Sequence, residues 1–332
     1  MAAPASPPAP PAPEVSVVIP TYNRLPVLRE VLEALDAQEG APPFEVIVVD
    51  DGASDGTADF LAAAKAGREA GEARGELPRW SLLRQENRGP AAARNRGVEA
   101  ASALLVAFLG DDTVPAPGWL KAHREAHARF GDDPKRAVIG YTRWHPRMRR
   151  TAFLDYINEH GLQFGYALID DPDEVPFNFL YTSNLSLPTE MLRAEPFDLT
   201  FPYAAWEDIE AGYRLFERGL RLAYEPSAVV DHDHPTDFQR FTERQEKAGY
   251  SAVVFYRLHP ELGPFLGLAP GGPPPLPEGS RRRWIEKLVR ALQHIPIKLP
   301  RWWEEALRYH YIRGLHRAWN ELMAPEPSPE EH

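Results

Sequence analysis

The sequence predicts an α/β protein with a mostly parallel sheet flanked by helices, followed by a helical extension at the C-terminal end. Two observations carry this prediction. Three apolar runs of strand length, residues 15–19, 44–49 and 104–109, have the continuous pattern of strands that are buried on both faces. Segments with helical periodicity follow the first two runs, and the order strand, helix, strand, helix favours parallel strands joined by right-handed crossovers.

Polar turn residues follow each of these strands. They are Pro20 to Asn23, Asp50 and Asp51, and Gly110 to Asp112. Because the carboxyl ends of parallel strands meet at one edge of a sheet, we expect these residues to lie where ligands bind in open α/β sheets. Two adjacent carboxylates such as Asp111 and Asp112 repel each other and favour a divalent cation, Mg²⁺ or Mn²⁺. The alternative is a solvated turn, since Asp and Gly are ordinary turn residues.

The remaining elements follow from local periodicity. Pro115 and Pro117 prevent residues 113–118 from continuing a central strand, because proline cannot donate to the ladder. No element can be bounded between 142 and 180, where the periodicity is poor. Strands are predicted at 80–83, 137–141, 181–187, 220–224 and 228–230, and helices from Pro90, over 119–130, from Ala205 through Phe216, and over 237–262.

Composition excludes several classes of protein. The chain of 332 residues has no cysteine, so disulfides and thiolate metal sites are excluded. A net charge of −11 argues against a general nucleic-acid-binding protein. The N-terminal residues lack the features of a secretory signal, and no run approaches the ~20 apolar residues of a membrane span. These features predict a cytoplasmic protein.

The C-terminal region differs in charge from the rest of the chain. Residues 281–323 contain ten Lys or Arg and four Glu, on an otherwise acidic protein. An apolar stripe on the second helix of this region comprises Trp303, Leu307, Tyr311, Leu315, Ala318 and Leu322. Such a stripe usually packs on the protein or on a partner. The many Trp and Arg residues also suit peripheral contact with a membrane surface, at the inner face of the cell membrane.

Two further groups of residues have the composition of a functional site. His232 and His234 alternate in an extended segment, so both face one side, where neutral imidazoles beside carboxylates can bind a divalent metal. The alternative is a surface turn that ends at Pro235. Glu207 and Asp208 open a helix, where acidic residues are also favoured simply by the helix dipole.

Six short motifs occur in a fixed order along the first two thirds of the chain. They are VSVVIPTYNR (15–24), VIVVDDGASDGT (46–57), GPAAARNRG (89–97), FLGDDTVPAPGWL (108–120), SNLSL (183–187) and WEDIEAGYRL (206–215). Together they resemble a family-2 glycosyltransferase with a GT-A type, Rossmann-like fold that binds a nucleotide sugar. The resemblance covers about residues 15–235 and does not extend to the helices beyond.

The resemblance implies a domain organisation. Residues 14–235 would form the GT-A catalytic domain, with a nucleotide-sugar-binding half at 14–135 and an acceptor half at 136–235. The other segments are a disordered Pro/Ala-rich lead at 1–13, a helix at 236–262, a Pro/Gly-rich linker at 263–280, basic amphipathic helices at 281–323 and a disordered tail at 324–332.

The resemblance also implies roles for individual residues. Pro20, Thr21, Tyr22 and Asn23 would line the nucleotide base, Asp51 would hydrogen-bond it with Asp50 close by, Arg94 would lie near the base or diphosphate, and Asp111 would meet the ribose. Asp112 and His232, with His234 as the alternate, would bind Mn²⁺ or Mg²⁺. Family members often carry Asp where this chain has Gly110, so the acidic motif here is GDD.

On the acceptor side, Glu207 and Asp208 resemble the acidic pair of the family, and Asp208 is the expected catalytic base. Glu207, Trp206 and Asn184 would shape the acceptor site. The implied reaction is an inverting transfer from a nucleoside-diphosphate sugar, with uridine favoured and guanine or deoxythymidine carriers left open, to a hydroxyl of a glycan, lipid-linked or small-molecule acceptor, with no role for nucleic acid. A retaining transferase, a nucleotidyltransferase and a non-catalytic scaffold of the same fold are the alternatives.

Overall fold

The computed structural model describes residues 11–74, 77–276 and 299–323. The chain divides into two compact units. We call the first the sheet unit, which lies within Met1–Met148, Leu168–Asp198 and Ala211–His234. We call the second the helical unit, which lies within Arg149–Ala167, Leu199–Glu210 and Pro235–His332.

The sheet unit contains a mixed sheet that has eight strands in the described residues, in the order β3-β2-β1-β4-β7-β6-β8-β5. The strands β1 to β4 are parallel to their neighbours in this group, as the sequence predicts, whereas β7 runs antiparallel to β4 and β6, and β5 antiparallel to β8. The strands are β1 Val15–Thr21, β2 Phe44–Asp50, β3 Arg79–Arg84, β4 Leu105–Leu109, β5 Thr113–Pro115, β6 Arg136–Trp144, β7 Asn184–Pro188 and β8 Arg221–His232.

Helices connect these strands and form most of the helical unit. In chain order they are α1 Leu25–Asp36, α2 Thr57–Arg74, α3 Pro90–Ala100, α4 Trp119–Arg129, α5 Ala152–Glu159, α6 Thr189–Ala194, α7 Glu207–Glu217, α8 Phe238–Leu258 and α9 Pro300–Leu322. The apolar face of α1, formed by Leu28, Val31, Leu32 and Leu35, is buried in a core with the inward side chains of β1 and β2. This core fixes the strand ends that carry the candidate site.

Two proline-containing segments belong to strands whose extent the sequence pattern does not define. Residues 113–115 form the short strand β5, and Pro115 is tolerated there because β5 is an edge strand. The two strands predicted at 220–224 and 228–230 are the single strand β8. Its register on β6 shifts between Gly140 and Tyr141, and exposed Pro226 lies in the irregular part that the sequence pattern presents as a break.

In the helical unit, the apolar stripe of α9 packs on α8. Phe153 of α5 makes edge-on contacts with Phe238, Phe241 and Trp303. The backbones of α8 and α9 approach closely at Gly249 and Gly314, where an added Cβ would lie 2.0 Å from the carbonyl oxygens of Tyr311 and Glu246, respectively. This packing favours the protein-facing interpretation of the stripe on α9. The first of the basic helices predicted within 281–323, over residues 281–292, lies outside the described residues.

The predicted linker is more ordered at its start than its composition indicates. Leu266 and Leu268 are buried, and Tyr311 Oη donates to the carbonyl oxygen of Leu266 at 3.0 Å. Residues 277–280 of the linker lie outside the described residues. Across the three ranges that the structure describes, no helix has the length and apolar character needed to cross a membrane.

Candidate metal and nucleotide site

The acidic turn after β4 places three nitrogen-bearing side chains around one carboxylate oxygen. Asp112 Oδ2 lies 2.8 Å from Arg24 Nη1, 3.0 Å from His234 Nδ1 and 3.5 Å from His232 Nε2. The candidate ligand atoms of Asp112, His232 and His234 all lie within 4.8 Å of one another. One carboxylate and two imidazoles thus converge on a space of the size of a metal site.

The strand β8 positions the two histidines. Thr113 of β5 pairs with His232, and the backbone N–H of Asp233 donates to the carbonyl oxygen of Asp112 at 2.8 Å, so the acidic turn and the end of β8 are joined directly. The rings of His232 and His234 stack at 5.4 Å, with an interplanar angle of 10°. Trp144 covers the ring of His232 at 5.5 Å and makes that histidine the buried one of the pair.

Asp233, between the two histidines, points toward a different partner. Its carboxylate accepts from the guanidinium of Arg147, which also donates to both carboxylate oxygens of Glu30 on α1 at 2.7 and 2.9 Å. This bridge ties the end of β8 to α1. It therefore fixes the direction of the two imidazoles on either side of Asp233.

The two carboxylates of the acidic turn differ electrostatically. Burial, followed by the charge of Asp112, raises the pKa of Asp111 to about 7. Burial acts in the same direction on Asp112, but the ring of His232, a hydrogen bond from His234 and the charge of Arg24 hold the pKa of Asp112 well below its usual range. Asp112 is therefore the carboxylate that stays ionised, as a metal ligand must.

The glycine of the GDD motif has a steric explanation. A Cβ at Gly110 would lie 3.0 Å from Asp112 Oδ1 and 3.1 Å from Thr113 Oγ1. Any larger residue at this position must therefore displace the carboxylate that faces the histidines or the hydroxyl beside it. Gly110, at a position where family members often carry Asp, therefore leaves room for the carboxylate of Asp112.

The ends of β1 and β2 are joined to each other. Asn23 adopts a left-handed conformation with φ 53°, which Asn tolerates well, and its Oδ1 accepts from the N–H of Ser54 at 2.7 Å. The N–H of Leu25, at the start of α1, is satisfied by Asp55 Oδ2 at 3.0 Å. Tyr22 donates its backbone N–H to Asp111 Oδ2 at 3.4 Å. The β1 turn therefore reaches both the second strand and the acidic turn.

Asp50 and Asp51 organise the loops at the end of β2. Asp50 is buried, and its Oδ1 accepts from the N–H of Ala53 at 2.7 Å. Asp51 accepts from Gln85 Nε2 at 2.8 Å and from the N–H groups of Arg88 and Gly89, both at 2.9 Å. These bonds occupy both oxygens of Asp51 but leave acceptor capacity, since an ionised carboxylate has about four lone-pair positions.

Two predicted site residues lie deeper in the sheet unit. Arg94 is on α3, with its guanidinium carbon 5.5 Å from the ring centre of Phe197. Asn184 is fully buried, and its amide bonds to Trp119 Nε1, His123 Nε2 and the carbonyl oxygen of Ala228. This burial speaks against the predicted contact of Asn184 with an acceptor and assigns it a structural role. Thr21, at the end of β1, is also buried, while Pro20 is half-buried.

Comparison with known proteins identifies the family. The sequence profile described as "Glycosyl transferase family 2" matches residues 16–185, which is about half of the chain and includes the acidic turn. The chain belongs to glycosyl transferase family 2. The match ends within β7, so the two histidines of β8 lie beyond it.

Two relatives among the curated proteins are family members with named activities. The validoxylamine A glucosyltransferase of Streptomyces hygroscopicus subsp. limoneus is 31% identical over 76% of this chain and 58% of its own length. The pre-mycofactocin glycosyltransferase of Mycobacterium tuberculosis (strain CDC 1551 / Oshkosh) is 30% identical over 75% of this chain and 48% of its own. The chain thus spans about half to three fifths of these relatives.

Solved structures show that the fold of this family-2 protein is of the GT-A type. The mannosyltransferase PcManGT of Pyrobaculum calidifontis, in complex with GDP-Man and Mn²⁺, has a TM-score of 0.59 at 18% identity and covers 96% of this chain and 91% of its own. S. aureus TarS 1-349, in complex with UDP, has a TM-score of 0.51 at 17% identity and covers 92% of this chain and 91% of its own.

The helical unit of this family-2 chain carries the predicted acidic pair. Trp206 precedes α7 in a left-handed conformation with φ 73°, a strained state for a bulky residue that often accompanies a functional site. Its ring contacts Phe255 and Phe265. Glu207 is buried, whereas Asp208 is half-buried and accepts from the N–H of Ile209 at 2.9 Å. This bond is also consistent with the capping interpretation of Asp208.

Three residues of functional interest were not singled out from the sequence. Arg24 contacts the acidic turn, Trp144 covers His232, and the buried Glu210 accepts from His259 Nε2 at 3.0 Å. The sequence does contain an indication for Arg24. A cation at the start of a helix is disfavoured by the helix dipole, so it needs a nearby carboxylate. The partners of Trp144 and Glu210 lie about 50 to 90 residues away in the chain, so no local pattern reveals them.

Proposed function

We propose that this protein is an inverting, metal-dependent glycosyltransferase that moves a sugar from a nucleoside diphosphate to an acceptor hydroxyl. The observation that carries the proposal is the convergence of Asp112, His232 and His234 at the carboxyl edge of the sheet of a family-2 protein. These residues come from two separate parts of the sequence. A scaffold that only kept the fold would have no need to hold them together.

The three side chains would hold the divalent cation. Two imidazoles with one carboxylate suit Mn²⁺ better than Mg²⁺, which prefers an all-oxygen octahedral site. When bound, the cation would stabilise the negative charge that develops on the departing nucleoside diphosphate. The structure of the Pyrobaculum protein holds GDP-Man together with Mn²⁺, which supports the proposal of a nucleotide sugar and a divalent cation for this chain.

The strand-end loops would hold the nucleotide. Tyr22, an exposed residue, would offer a ring face to the base, and Pro20, Thr21 and Asn23 would shape the same turn. Asp51, with Asp50 close by, would accept from a ring N–H of the base, with uracil as the preferred base. Asp111 would bind the ribose, and Arg94 would lie near the base or the diphosphate.

In the transfer step, the acceptor oxygen attacks the anomeric carbon while the bond from that carbon to the diphosphate oxygen breaks. The proton of the attacking hydroxyl passes to the carboxylate of Asp208, which acts as general base. A single displacement of this kind inverts the anomeric configuration. Glu207 and Trp206 would shape the acceptor side of the reaction.

We propose a sugar-like acceptor, a glycan or a hydroxylated small molecule. The name of the related validoxylamine A glucosyltransferase supports a small-molecule acceptor. The predicted peripheral membrane contact through 281–323 would rely on basic side chains, because the apolar stripe of the described part, α9, packs on α8. A lipid-linked acceptor and a position at the inner face of the membrane would therefore depend on the basic side chains of 281–323.

A thermal-shift experiment with variants tests the proposal. The melting temperature would be measured with UDP, GDP and dTDP, each with Mn²⁺, with Mg²⁺ and with a chelator, since a ligand of the native state raises it by mass action. We expect the largest shift with UDP and Mn²⁺, its loss in Asp112→Asn, and its retention in Asp208→Asn. In Asp208→Asn, turnover should instead fall about 10³-fold, the scale of a general base.

Asp132→Asn is the matched control. Asp132 is an exposed carboxylate of the sheet unit, which also contains Asp112, and its backbone has φ 53°, a conformation that Asn also tolerates. It should leave both the shift and the turnover unchanged. Inversion would be read from the anomeric configuration of the product by NMR. A protein that shows no metal-dependent shift with any nucleoside diphosphate, or full turnover in Asp208→Asn, would contradict the proposal.

A further inference from the structure

Arg24 lies where a charged residue is costly unless it is paired. It occupies the N-cap position of α1, which has no acidic residue in its first turn, so the helix dipole opposes its charge. Its guanidinium is held instead by the acidic turn: Nη1 lies 2.8 Å from Asp112 Oδ2, and Nε lies 3.6 Å from Asp111 Oδ1. The carboxylates of the metal site are therefore what stabilise Arg24 at this position.

The same guanidinium also contacts a second candidate metal ligand. Arg24 Nη1 lies 3.1 Å from His234 Nδ1, the atom that lies 3.0 Å from Asp112 Oδ2. Arg24 thus lies beside two of the three donor atoms that a cation would need. A divalent ion bound between Asp112 and His234 would be repelled by a guanidinium in this position, so both cannot occupy it together.

We propose that the guanidinium of Arg24 takes the place of the metal beside Asp112 when no metal is bound. When the metal binds, the guanidinium leaves Asp112 and pairs with the diphosphate of the donor. This inference rests on the proposed function, since it requires a diphosphate ligand. Arg24 is a positioning residue in this scheme. Its effect is to make the binding of the metal and of the nucleotide depend on each other.

The charges explain why this dependence follows. Arg24 and the carboxylate of Asp112 form an ion pair at 2.8 Å, so the positive charge of Arg24 already offsets the negative charge that would attract a divalent ion. The binding of the metal alone is therefore opposed by Arg24. A nucleoside diphosphate supplies at least two negative charges, so that the metal and Arg24 together become favourable. The side chain of Arg24 is 34% exposed, so it can leave Asp112 without unpacking the core.

The test separates metal binding from nucleotide binding. Mn²⁺ binding to the full-length protein would be measured by calorimetry without nucleotide, and UDP binding would be measured at saturating Mn²⁺. We expect Arg24→Gln to bind Mn²⁺ about tenfold more tightly than wild type and to bind UDP about tenfold more weakly, the scale of one charge-assisted contact. Arg24→Lys, which keeps the charge but loses the fork, should fall between the two in both measurements.

Arg143→Gln is the matched control. Arg143 is a partly exposed arginine of the same unit that pairs with Asp231, one residue before His232, at 2.6 Å. Its removal changes the net charge equally and should change neither affinity by more than about twofold, since exposed pairs contribute little. Circular dichroism and the melting temperature of each metal-free variant would show that the fold is retained.

The outcomes distinguish this inference from the proposed function. Equal or weaker Mn²⁺ binding by Arg24→Gln, with metal-dependent UDP binding intact in wild type, would overturn the role of Arg24 alone. Metal-independent UDP binding that is lost in Arg24→Gln would make Arg24 a permanent substitute for the metal and would also overturn it. Absence of both Mn²⁺ and UDP binding in wild type and in Arg24→Gln would remove the proposed function itself.

Discussion

The sheet unit contains two pairs of histidines whose hydrogen-bond partners differ in charge. His232 and His234 lie at the end of β8 beside an ionised carboxylate and an arginine. His123 and His127 lie one turn apart on α4, where their partners are neutral. His123 bonds to Asn184 at 2.9 Å and to Ser186 at 2.8 Å, and His127 bonds to the same Ser186 at 2.9 Å.

Burial gives the α4 pair a fixed protonation state. It lowers the pKa of His123 to about 4 and the pKa of His127 to about 3. Each imidazole is therefore neutral at physiological pH and serves to join α4 to β7 through Asn184 and Ser186. The comparison shows that the charge and exposure of the neighbours decide whether a histidine pair is available to a cation or is part of the core.

The largest expected effect is the loss of stability when the neutral network is broken. Asn184→Leu removes the amide partner of Trp119 Nε1, His123 Nε2 and the carbonyl oxygen of Ala228. Buried polar groups without partners cost about 1–3 kcal/mol each, so the free energy of unfolding should fall by roughly 3 kcal/mol or more. Urea denaturation measures this loss.

The folded fraction of Asn184→Leu should still bind Mn²⁺ with an affinity within about threefold of wild type, since Asn184 makes no contact with the three proposed ligands in the bonds that the structure describes. A variant of normal stability that has lost its Mn²⁺ binding would reverse the assignment of the two regions.

A smaller effect is expected from acid. The folded pKa of His127 lies below the value near 6.5 of an unfolded histidine, so the unfolded chain binds more protons and stability falls as the pH drops from above 6.5 toward 3. Between pH 7.5 and pH 5 the burial of this imidazole should lower the free energy of unfolding by an amount on the order of 2 kcal/mol. His127→Gln, which carries no titratable group, should lack that part of the loss.

The comparison of the two proteins at each pH isolates His127 from other groups. Asp111 acts in the opposite direction, because protonation of a carboxyl whose folded pKa is raised to about 7 stabilises the fold as the pH falls. Urea denaturation of wild type and His127→Gln at pH 7.5 and pH 5 gives the difference. Identical pH dependence in both proteins would contradict the burial of a neutral His127.

The smallest effect is expected at the glycine of the acidic turn. Gly110→Ala places a methyl group about 3 Å from the carboxylate of Asp112 and should weaken Mn²⁺ binding about tenfold, with little loss of stability. Gly118→Ala is the control, because a Cβ there would meet nothing within 4 Å. Calorimetry measures the Mn²⁺ affinity of both variants. Equal affinities would show that a methyl group at position 110 does not displace the carboxylate of Asp112.

The sequence predicts the fold well, and it also singles out the carboxylate and the two histidines that the structure brings together. In both cases the reason is local. A buried strand that ends in carboxylates, or a histidine pair at alternate positions of a strand, is visible within ten residues of the chain. Asp111, Asp112, His232 and His234 could be selected in this way, and the strand β1 could be bounded closely. The competition of Arg24 for Asp112 could not be predicted, because the two residues are 88 positions apart.

For Asn184, a local motif predicts a role that its contacts in the structure do not favour. Its place in a family motif predicts a contact with an acceptor, but the motif does not reveal that the helix α4 supplies Trp119 and His123 to cover its amide. The residues between 142 and 180 resisted assignment for a related reason. Their one helix of more than a single turn, α5, has only eight residues, and its buried side chain Phe153 packs on residues of α8 and α9 that come far later in the chain.

The close approach of α8 and α9 has a consequence for sequence variation. At Gly249 and Gly314 the space that a side chain would fill is taken by the main chain of the other helix, so rotamer changes cannot relieve a substitution. Even alanine at either position must push the two helix axes apart over several turns. Glycine should therefore be the residue at both positions in any natural variant that keeps this pair of helices.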